Sequence, residues 1–178
     1  MRIIGVDPGL ASTGYAVIDE IGRCRVPVEG GVCRTKRNDP IERRLMSIYL
    51  DLRDVLGEFR PDAMAVEDLH ARYRNLKTAI VMGHARGVVC LTAGEFGIPV
   101  FHYQPTRAKN LVTGSGRAGK EQVQQAVAVH LGLQTPVPDE HVADAFAIAL
   151  CHAMMADSPV SESANSANEE TSPITTMG

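Results

Sequence analysis

Tryptophan is absent from the 178 residues, and aromatic residues make up only 4% of them. The four cysteines form no C-x-x-C pair, which argues against a zinc knuckle or a thiol-redox motif. No apolar run is long enough to cross a bilayer, and the first residues lack the apolar stretch of a secretory signal. These absences predict a cytoplasmic protein with free thiols and few aromatic surfaces for stacking.

The composition predicts one folded domain followed by a tail. Apolar residues make up 44% of the chain and charged residues 22%, as in an ordinary globular protein. Residues 157–178 are rich in Ser, Thr and Asn and carry almost no large apolar side chain. Such a segment cannot bury enough surface to offset its ordering entropy. We therefore expect a domain over residues 1–156 and a disordered, acidic, Ser/Thr-rich tail over 157–178.

The formal net charge of -3 conceals an uneven distribution. Residues 72–120 carry eight basic side chains and a single acidic one, Glu95. The flanking segments, 1–71 and 121–156, both carry more acids than bases. Scattered Lys and Arg are usually solvated helix faces, but a block with one acid among eight bases modestly favours a partner that carries phosphates.

The hydrophobic pattern predicts an α/β domain with a mixed sheet of five strands. The predicted strands are 2–7, 13–18, 23–34, 63–67 and 98–102, and the predicted helices are 40–59, 76–96, 105–112, 120–131 and 141–156. Short connections favour an antiparallel meander for the first three strands. Asp39 is the predicted N-cap of the first helix, with Pro40 in its first turn. Pro99 predicts an edge position for the last strand.

Four chemistry-bearing side chains are predicted to meet at one edge of this sheet. Asp7 ends the first strand and Glu67 ends the fourth, and strands joined by a crossover helix commonly lie side by side in parallel. His141 and Asp144, three residues apart at the start of the last helix, share one helix face. Three carboxylates with one imidazole suit a divalent cation such as Mg²⁺ or Mn²⁺.

Each of these residues also has a simpler explanation. Asp7 can be a turn residue, Glu67 a solvated strand end, and Asp144 a carboxylate that favours the dipole of a helix start. Asp139 and Glu140 are competing ligands, and Glu140 would share a helix face with Asp144. The case for a metal site is therefore the convergence of all the acids rather than any one of them.

Four segments resemble the RuvC family of bacterial Holliday-junction resolvases, in order over residues 2–156. They are IIGVDPGLASTGYAVI at 3–18, AVED at 65–68, GHARG at 83–87 and HVADAFAIA at 141–149. The resemblance implies a ribonuclease-H-like fold and a homodimer. It also implies Mg²⁺- or Mn²⁺-dependent cutting of two opposed strands at a four-way DNA junction in recombination and repair, together with the RuvA–RuvB branch-migration complex.

The family's catalytic set falls on Asp7, Glu67, His141 and Asp144, and many members have Asp at the position of His141. Our hypothesis is phosphodiester hydrolysis with two metal ions per site. Asp7 would bridge both ions, Glu67 would complete one site, and Asp144 with His141 would complete the other. Alternatively His141 acts as a general base, because imidazole titrates near the working pH.

Basic residues of the middle segment are predicted to contact DNA phosphates. Lys120 follows a glycine-rich loop at a predicted helix start, where an ammonium group and backbone N–H groups can bind phosphate together. The family's basic positions correspond to Lys109 and Lys120. The base-stacking aromatic of some relatives is not kept in place, and Tyr73 and His70 are the candidates. The remaining predicted contacts are Arg72, Arg74, Lys77, Arg107 and Arg117.

Small residues in the second helix fit the implied homodimer. Gly83, Ala85 and Gly87 would allow a second helix to approach closely, but packing within one chain explains them equally well. An isologous dimer has a physical use here, because a four-way junction is itself roughly two-fold symmetric.

Three other functions are open at this stage. The DPGLASTG segment at 7–14 also resembles the phosphate loop of the actin and sugar-kinase superfamily, but the chain is too short for the two domains of that fold. A non-catalytic junction-binding protein would use the basic segment, but carboxylates near DNA phosphates are unfavourable without metal. A ribonuclease-H-like nuclease for another nucleic-acid structure fits the residues as well, and only the resemblance favours a resolvase.

Overall fold

The computed structural model describes residues 1–68 and 76–156. The predicted tail, 157–178, and the candidates His70, Arg72, Tyr73 and Arg74 lie outside the described residues. In chain order the described elements are β1 (Arg2–Asp7), β2 (Ser12–Ile21), β3 (Cys24–Arg34), α1 (Ile41–Phe59), β4 (Ala63–Glu67), α2 (Leu76–Glu95), β5 (Val100–Tyr103), α3 (Pro105–Thr113), α4 (Lys120–Leu131) and α5 (Glu140–Ala156).

The described strands form one mixed sheet in the order β3-β2-β1-β4-β5. β1, β2 and β3 pair antiparallel, whereas β4 pairs in parallel with both β1 and β5. The predicted meander, the parallel β1–β4 pair and the edge position of β5 are all confirmed. The parallel pairing brings the carboxyl ends of β1 and β4 to the same edge of the sheet.

Helices cover both faces of the sheet, because the strands alternate their buried side chains between two cores. Ile4 and Val6 of β1 pack with Ile48 and Leu52 of α1, in the core that also contains α2. Ile3 packs in the opposite core, which α3, α4 and α5 cover. Odd-numbered residues of β1 therefore face α5, and Asp7 belongs to that series.

Two glycines let α5 lie unusually close to the sheet. A Cβ atom on Gly5 would overlap the carbonyl oxygen of Ala145, and one on Gly14 would overlap the carbonyl oxygen of His141. Both glycines have φ values that other residues can adopt. A side chain is therefore excluded by lack of space and not by the backbone conformation. The close approach brings the first turn of α5 directly over the ends of β1 and β2.

The start of α1 differs from the prediction. Pro40, not Asp39, occupies the N-cap position, with an extended backbone at φ -55° and ψ 149°. The carbonyl of Pro40 accepts hydrogen bonds from the backbone N–H groups of Arg43 and Arg44, while the Asp39 N–H is used in the preceding turn, to Lys36. Proline suits a position whose N–H a helix does not need.

The other boundaries shift by a few residues at most. β5 begins at Val100 rather than 98, because the Ile98 N–H donates to the carbonyl of Ala93 and so completes the end of α2. The expected free thiols are confirmed, since Cys24, Cys33, Cys90 and Cys151 are all unpaired. No helix within residues 1–68 and 76–156 is both long and apolar enough to span a membrane.

Candidate active site

Asp7 and Glu67 are neighbours at the carboxyl edge of the sheet. β1 and β4 pair with Val6 opposite Val66, so the next residue of each strand is one of the two acids. Ala65 packs in the core beneath α5, and the period of two in a strand places Glu67 on that same face. The two carboxylates thus share the α5 side of one sheet edge, as predicted from the strand ends.

The first turn of α5 adds His141 to this pair. Nδ1 of His141 lies 3.2 Å from Oδ2 of Asp7, and their side chains are 33% and 18% exposed. Gly14, opposite Asp7 in the β1–β2 ladder, makes room for the backbone of His141. A larger residue at position 14 would hold the imidazole away from the carboxylate.

Burial and mutual repulsion make the acids of the site resist ionisation. The pKa of Glu67 is raised from an ordinary 4.5 to about 8, by burial first and then by the charges of Asp7 and Asp144, while Lys109 opposes the shift. Burial also raises the pKa of Asp144, followed by the charge of Asp7. Glu67, Asp144 and Asp7 therefore lie close enough for their charges to act on one another.

The pKa of His141 is raised, whereas burial alone would lower the pKa of an imidazole. Its hydrogen bond to Asp7 raises the pKa of the ring, and this effect outweighs the lowering by partial burial. The nearby charges of Asp7, Asp139 and Glu140 act in the same direction as the hydrogen bond. A protonated His141 therefore partly neutralises the acids around it.

The donor set has the chemistry of a divalent-cation site, although it is not a ready-made cage. Among the described residues no group of three His, Cys, Asp or Glu side chains stands in metal-holding geometry. The ring of His141 lies against one oxygen of Asp7. Lys109 offsets only part of the burial and repulsion that raise the pKa values of Glu67 and Asp144, and a cation would offset more, so the chemistry of these residues fits Mg²⁺ or Mn²⁺.

The two competing acids of this region have other contacts. Oδ1 of Asp139 accepts the backbone N–H of His141 at 2.9 Å, and its other oxygen forms a 2.6 Å ion pair with Arg34. The carboxylate of Glu140 forms an ion pair with Lys120. Asp139 thus caps α5, and Glu140 holds a lysine beside the site.

The predicted DNA-contacting residues fall at different distances from the carboxylates. The charge of Lys109 acts on both Glu67 and Asp144, and Lys120, 71% exposed at the start of α4, acts on Glu140 and Asp144. Arg117 is exposed in the loop before α4. Arg107 instead acts on Tyr103 and Cys151, away from the acids. Lys77 lies exposed in the first turn of α2.

Sequence reasoning missed Arg86, which links α2 to the strand ends. Its Nη2 atom lies 3.1 Å from Oδ1 of Asp68 and 2.9 Å from Nδ1 of His102. Asp68 directly follows Glu67, and His102 pairs with Val66 in the sheet. The signal is the arginine of the GHARG motif at 83–87, the one charged residue among its small neighbours.

A mixed sheet in this order, with acids at the ends of β1 and β4 and on α5, has the architecture of the ribonuclease-H-like fold. The profile of the family described as "Crossover junction endodeoxyribonuclease RuvC" matches residues 3–152. The chain therefore belongs to the RuvC family.

Individual relatives agree with this membership. The chain is similar to the RuvC crossover junction endodeoxyribonuclease of Rhodopirellula baltica, with 46% identity over 160 residues and 90% of each chain covered. Identity to that of Desulforamulus reducens is 44% over 154 residues, covering 86% of this chain and 93% of the relative. Among solved structures, Thermus thermophilus RuvC in complex with a Holliday junction substrate matches with a TM-score of 0.81 and 37% identity, covering 88% of this chain and 94% of that one.

Proposed function

We propose that this protein is an endonuclease that resolves four-way (Holliday) DNA junctions by paired nicking of opposed strands in recombination and repair, with Mg²⁺ or Mn²⁺ as cofactor. The observation that carries the proposal is the convergence of Asp7, Glu67, Asp144 and His141 at one sheet edge. Support for the junction as substrate comes from family membership and from the similarity to a RuvC solved with such a junction.

The chain's own residues prepare the site for hydrolysis. Bound divalent ions would activate the attacking water and stabilise the leaving oxygen of the phosphodiester. Asp7 lies between Glu67 on one side and the first turn of α5 on the other, which suits the proposed role of a ligand shared by two ions. His141 can hold a proton at Nδ1 against Asp7, so its alternatives are ligand and general base.

The positive charges around the acids would hold the DNA backbone. Lys109 and Lys120 act electrostatically on the carboxylates from α3 and α4, so a phosphate at the site would meet both. Arg117 lies in the loop between these two helices. Without these cations, DNA phosphates would be repelled by the acids that have to cut them.

One face of α2 supports a homodimer. Leu76, Ile80 and Leu91 fall on this face at helical spacing and are 74%, 52% and 67% exposed. Gly83 and Gly87 lie between them, and a Cβ atom at either would meet nothing within 4 Å among the described residues. Packing against the described part of the chain therefore does not account for these glycines, whereas a second helix lying across them does. A dimer formed there would give one active site for each of two opposed strands.

Family membership supports two further proposals. We propose the RuvA–RuvB branch-migration complex as the partner that delivers the junction. We propose the cytoplasm as the place of action.

The proposed function is tested with a labelled four-way junction and a linear duplex of matched sequence, each with Mg²⁺, Mn²⁺ or chelator. Metal-dependent cutting of the junction alone is expected. The variant Asp7→Asn should lose it, because it removes the charge at the centre of the site. Asp54→Asn is the matched control, since the Asp54 side chain is 78% exposed on α1.

The other possible results identify the rival functions. Tight binding of the junction without cutting under either metal would favour the non-catalytic protein. Equal cutting of flaps, linear duplex or RNA would favour a nuclease for another structure. Cutting that survives Asp7→Asn would contradict the assignment of the active site.

A further inference from the structure

The segment between β3 and α1 is strongly basic, although it lies in the part of the chain where acids exceed bases. Residues 34–44, here called the basic loop, carry five basic side chains and two acidic ones. The bases are Arg34, Lys36, Arg37, Arg43 and Arg44, and the acids are Asp39 and Glu42. None of these bases belongs to the proposed DNA surface around Lys109, Lys120 and Arg117.

The basic loop starts at the same sheet edge as the active site. β2 and β3 pair with Ser12 opposite Arg34, and β1 and β2 pair with Asp7 opposite Gly14. Arg34 therefore ends its strand at the edge where Asp7 ends β1, two strands away. The loop that follows leads from this edge into α1, on the face of the sheet opposite to α5.

The basic loop is also continuous with the Lys120 surface. Arg34 forms an ion pair with Asp139, and Lys120 forms one with the adjacent Glu140. The two acids place both cations around the first turn of α5. Arg34 thus connects the region of Lys120 with the start of the basic loop, each of these two cations being paired with an acid.

Hydrogen bonds fix the basic loop to the segment that follows Asp7. Thr35 donates its N–H to the carbonyl of Ala11 at 3.1 Å and its hydroxyl to the carbonyl of Leu10 at 2.6 Å. Nε of Arg44 donates to the same hydroxyl at 2.9 Å. The loop is held in place by both of its ends, so binding a ligand there costs less ordering entropy than on an unattached loop.

Three cations of the basic loop remain available to a ligand. Lys36, Arg37 and Arg43 are exposed, and within residues 1–68 and 76–156 none of them takes part in an ion pair. Three exposed like charges on a fixed surface beside a nuclease site match the regular phosphates of a duplex. A protein could bind these cations only through an acidic surface of its own, and nothing on this side of the molecule favours such a partner.

We propose that the basic loop binds the phosphate backbone of one duplex arm of the junction, beside the strand cut at Asp7. This inference rests on the proposed function, since it concerns the path of the same substrate. It extends the proposed DNA surface to residues 34–44, on a side of the site where the basic segment 72–120 provides no cations.

The test compares junction binding by the double variant Lys36→Gln/Arg37→Gln with the wild-type protein over a series of salt concentrations, in chelator. Removing two phosphate contacts should lower the slope of log affinity against log salt by about 1–2, at roughly 0.9 for each contact. The double variant Arg23→Gln/Arg53→Gln is the control. It removes two exposed charges, one in the β2–β3 turn at the opposite end of the sheet and one far along α1.

A second readout uses junctions with shortened arms. Trimming the arms should weaken binding by the wild-type protein more than binding by the Lys36→Gln/Arg37→Gln variant, because that variant no longer contacts the arm. Thermal melts of all the variants check that they are folded, and Arg43→Gln repeats the test from the first turn of α1.

The results separate this inference from the proposed function. If the wild-type protein binds and cuts the junction but both double variants keep its salt slope, the basic loop is not an arm contact and the proposed function stands. If the wild-type protein neither binds nor cuts the junction, the proposed function itself fails.

Discussion

Nδ1 of His141 lies 3.2 Å from Oδ2 of Asp7, although the two residues are 134 positions apart in the chain. The contact joins the last helix to the first strand, so it forms only when the whole domain is folded. The contact raises the pKa of His141, and burial raises the pKa values of the nearby acids Glu67 and Asp144. The site therefore gains protons when the chain folds.

The first prediction follows from that gain of protons. Without divalent ions, the stability that the site contributes should fall as the pH rises from about 4.5 to about 8, the ordinary and the raised pKa of Glu67. The folded site binds more protons than the same residues in the unfolded chain, because the pKa values of both Glu67 and His141 are raised. His102 and His152 act in the opposite sense, because burial lowers their pKa values. The stability contributed by protonated His141 is complete below its ordinary pKa and is lost as the pH passes its raised one.

Thermal melts in chelator between pH 5 and 8.5 measure this dependence. The variant Glu67→Gln should flatten it and melt higher than the wild-type protein at pH 8, by roughly 2–4 °C for each kcal/mol recovered. A Glu67→Gln variant with the wild-type slope would contradict the electrostatic description of the site.

The second prediction concerns the approach of α5 to the sheet. Gly14→Ala should destabilise the fold by about 2 kcal/mol or more, because the new methyl group meets the backbone of His141 rather than a side chain that can move. Gly57→Ala is the matched control in α1, where the nearest atom is 3.9 Å away and alanine should stabilise the helix by about 0.5–1 kcal/mol. Denaturant unfolding measures both, and equal effects would exclude the proposed close contact.

The strand ends and the helix pair could be predicted from the sequence because they depend on local patterns. Asp7 and Glu67 each follow a short apolar strand, and the parallel pairing of those strands makes them neighbours. The role of Gly14 could not be predicted, since its contact with His141 depends on how a distant helix packs on the sheet. Periodicity along the chain carries no information about that distance.

The sequence alone also could not show which of His141, Asp139 and Glu140 belongs to the site, because the answer depends on three-dimensional contacts. Asp139 and Glu140 have the same chemistry as a ligand, and only their ion pairs with Arg34 and Lys120 show how each is used. Both partners are remote in the sequence. The roles of the four site residues as ligands stay predictions, as do the contacts of Tyr73 and His70 with DNA, which lie outside the described residues.

The third prediction tests the dimer face of α2. Leu91→Glu should shift the protein to a monomer at micromolar concentration, because it places a charge on an apolar face that the second copy would bury. Val129→Glu on α4 is the control, as Val129 is 75% exposed on the other side of the sheet and should leave the assembly unchanged. Sedimentation measures both variants. A wild-type protein that is monomeric under these conditions would contradict the dimer.

The fourth prediction assigns a positioning role to Arg86. Arg86→Lys keeps the charge, but its ammonium ends one bond short of the Nη2 position that contacts both Asp68 and His102, so Glu67 should lose its fixed position at the strand end. We expect kcat to fall about tenfold or more while the junction Kd and the dimer stay unchanged. A purely structural role would instead lower the melting temperature and leave the kcat of the folded protein intact.

The most direct test of the central claim is the product formed from a supercoiled plasmid that extrudes a cruciform, with Mg²⁺ or Mn²⁺ present. Two opposed nicks in one binding event convert the plasmid to a linear form, whereas a single nick gives a relaxed circle. Linear product from the wild-type protein, and neither product from Asp7→Asn, is the expected result. Relaxed circles alone from a dimeric wild-type protein, or linear product from Asp7→Asn, would contradict paired cutting by the site at Asp7.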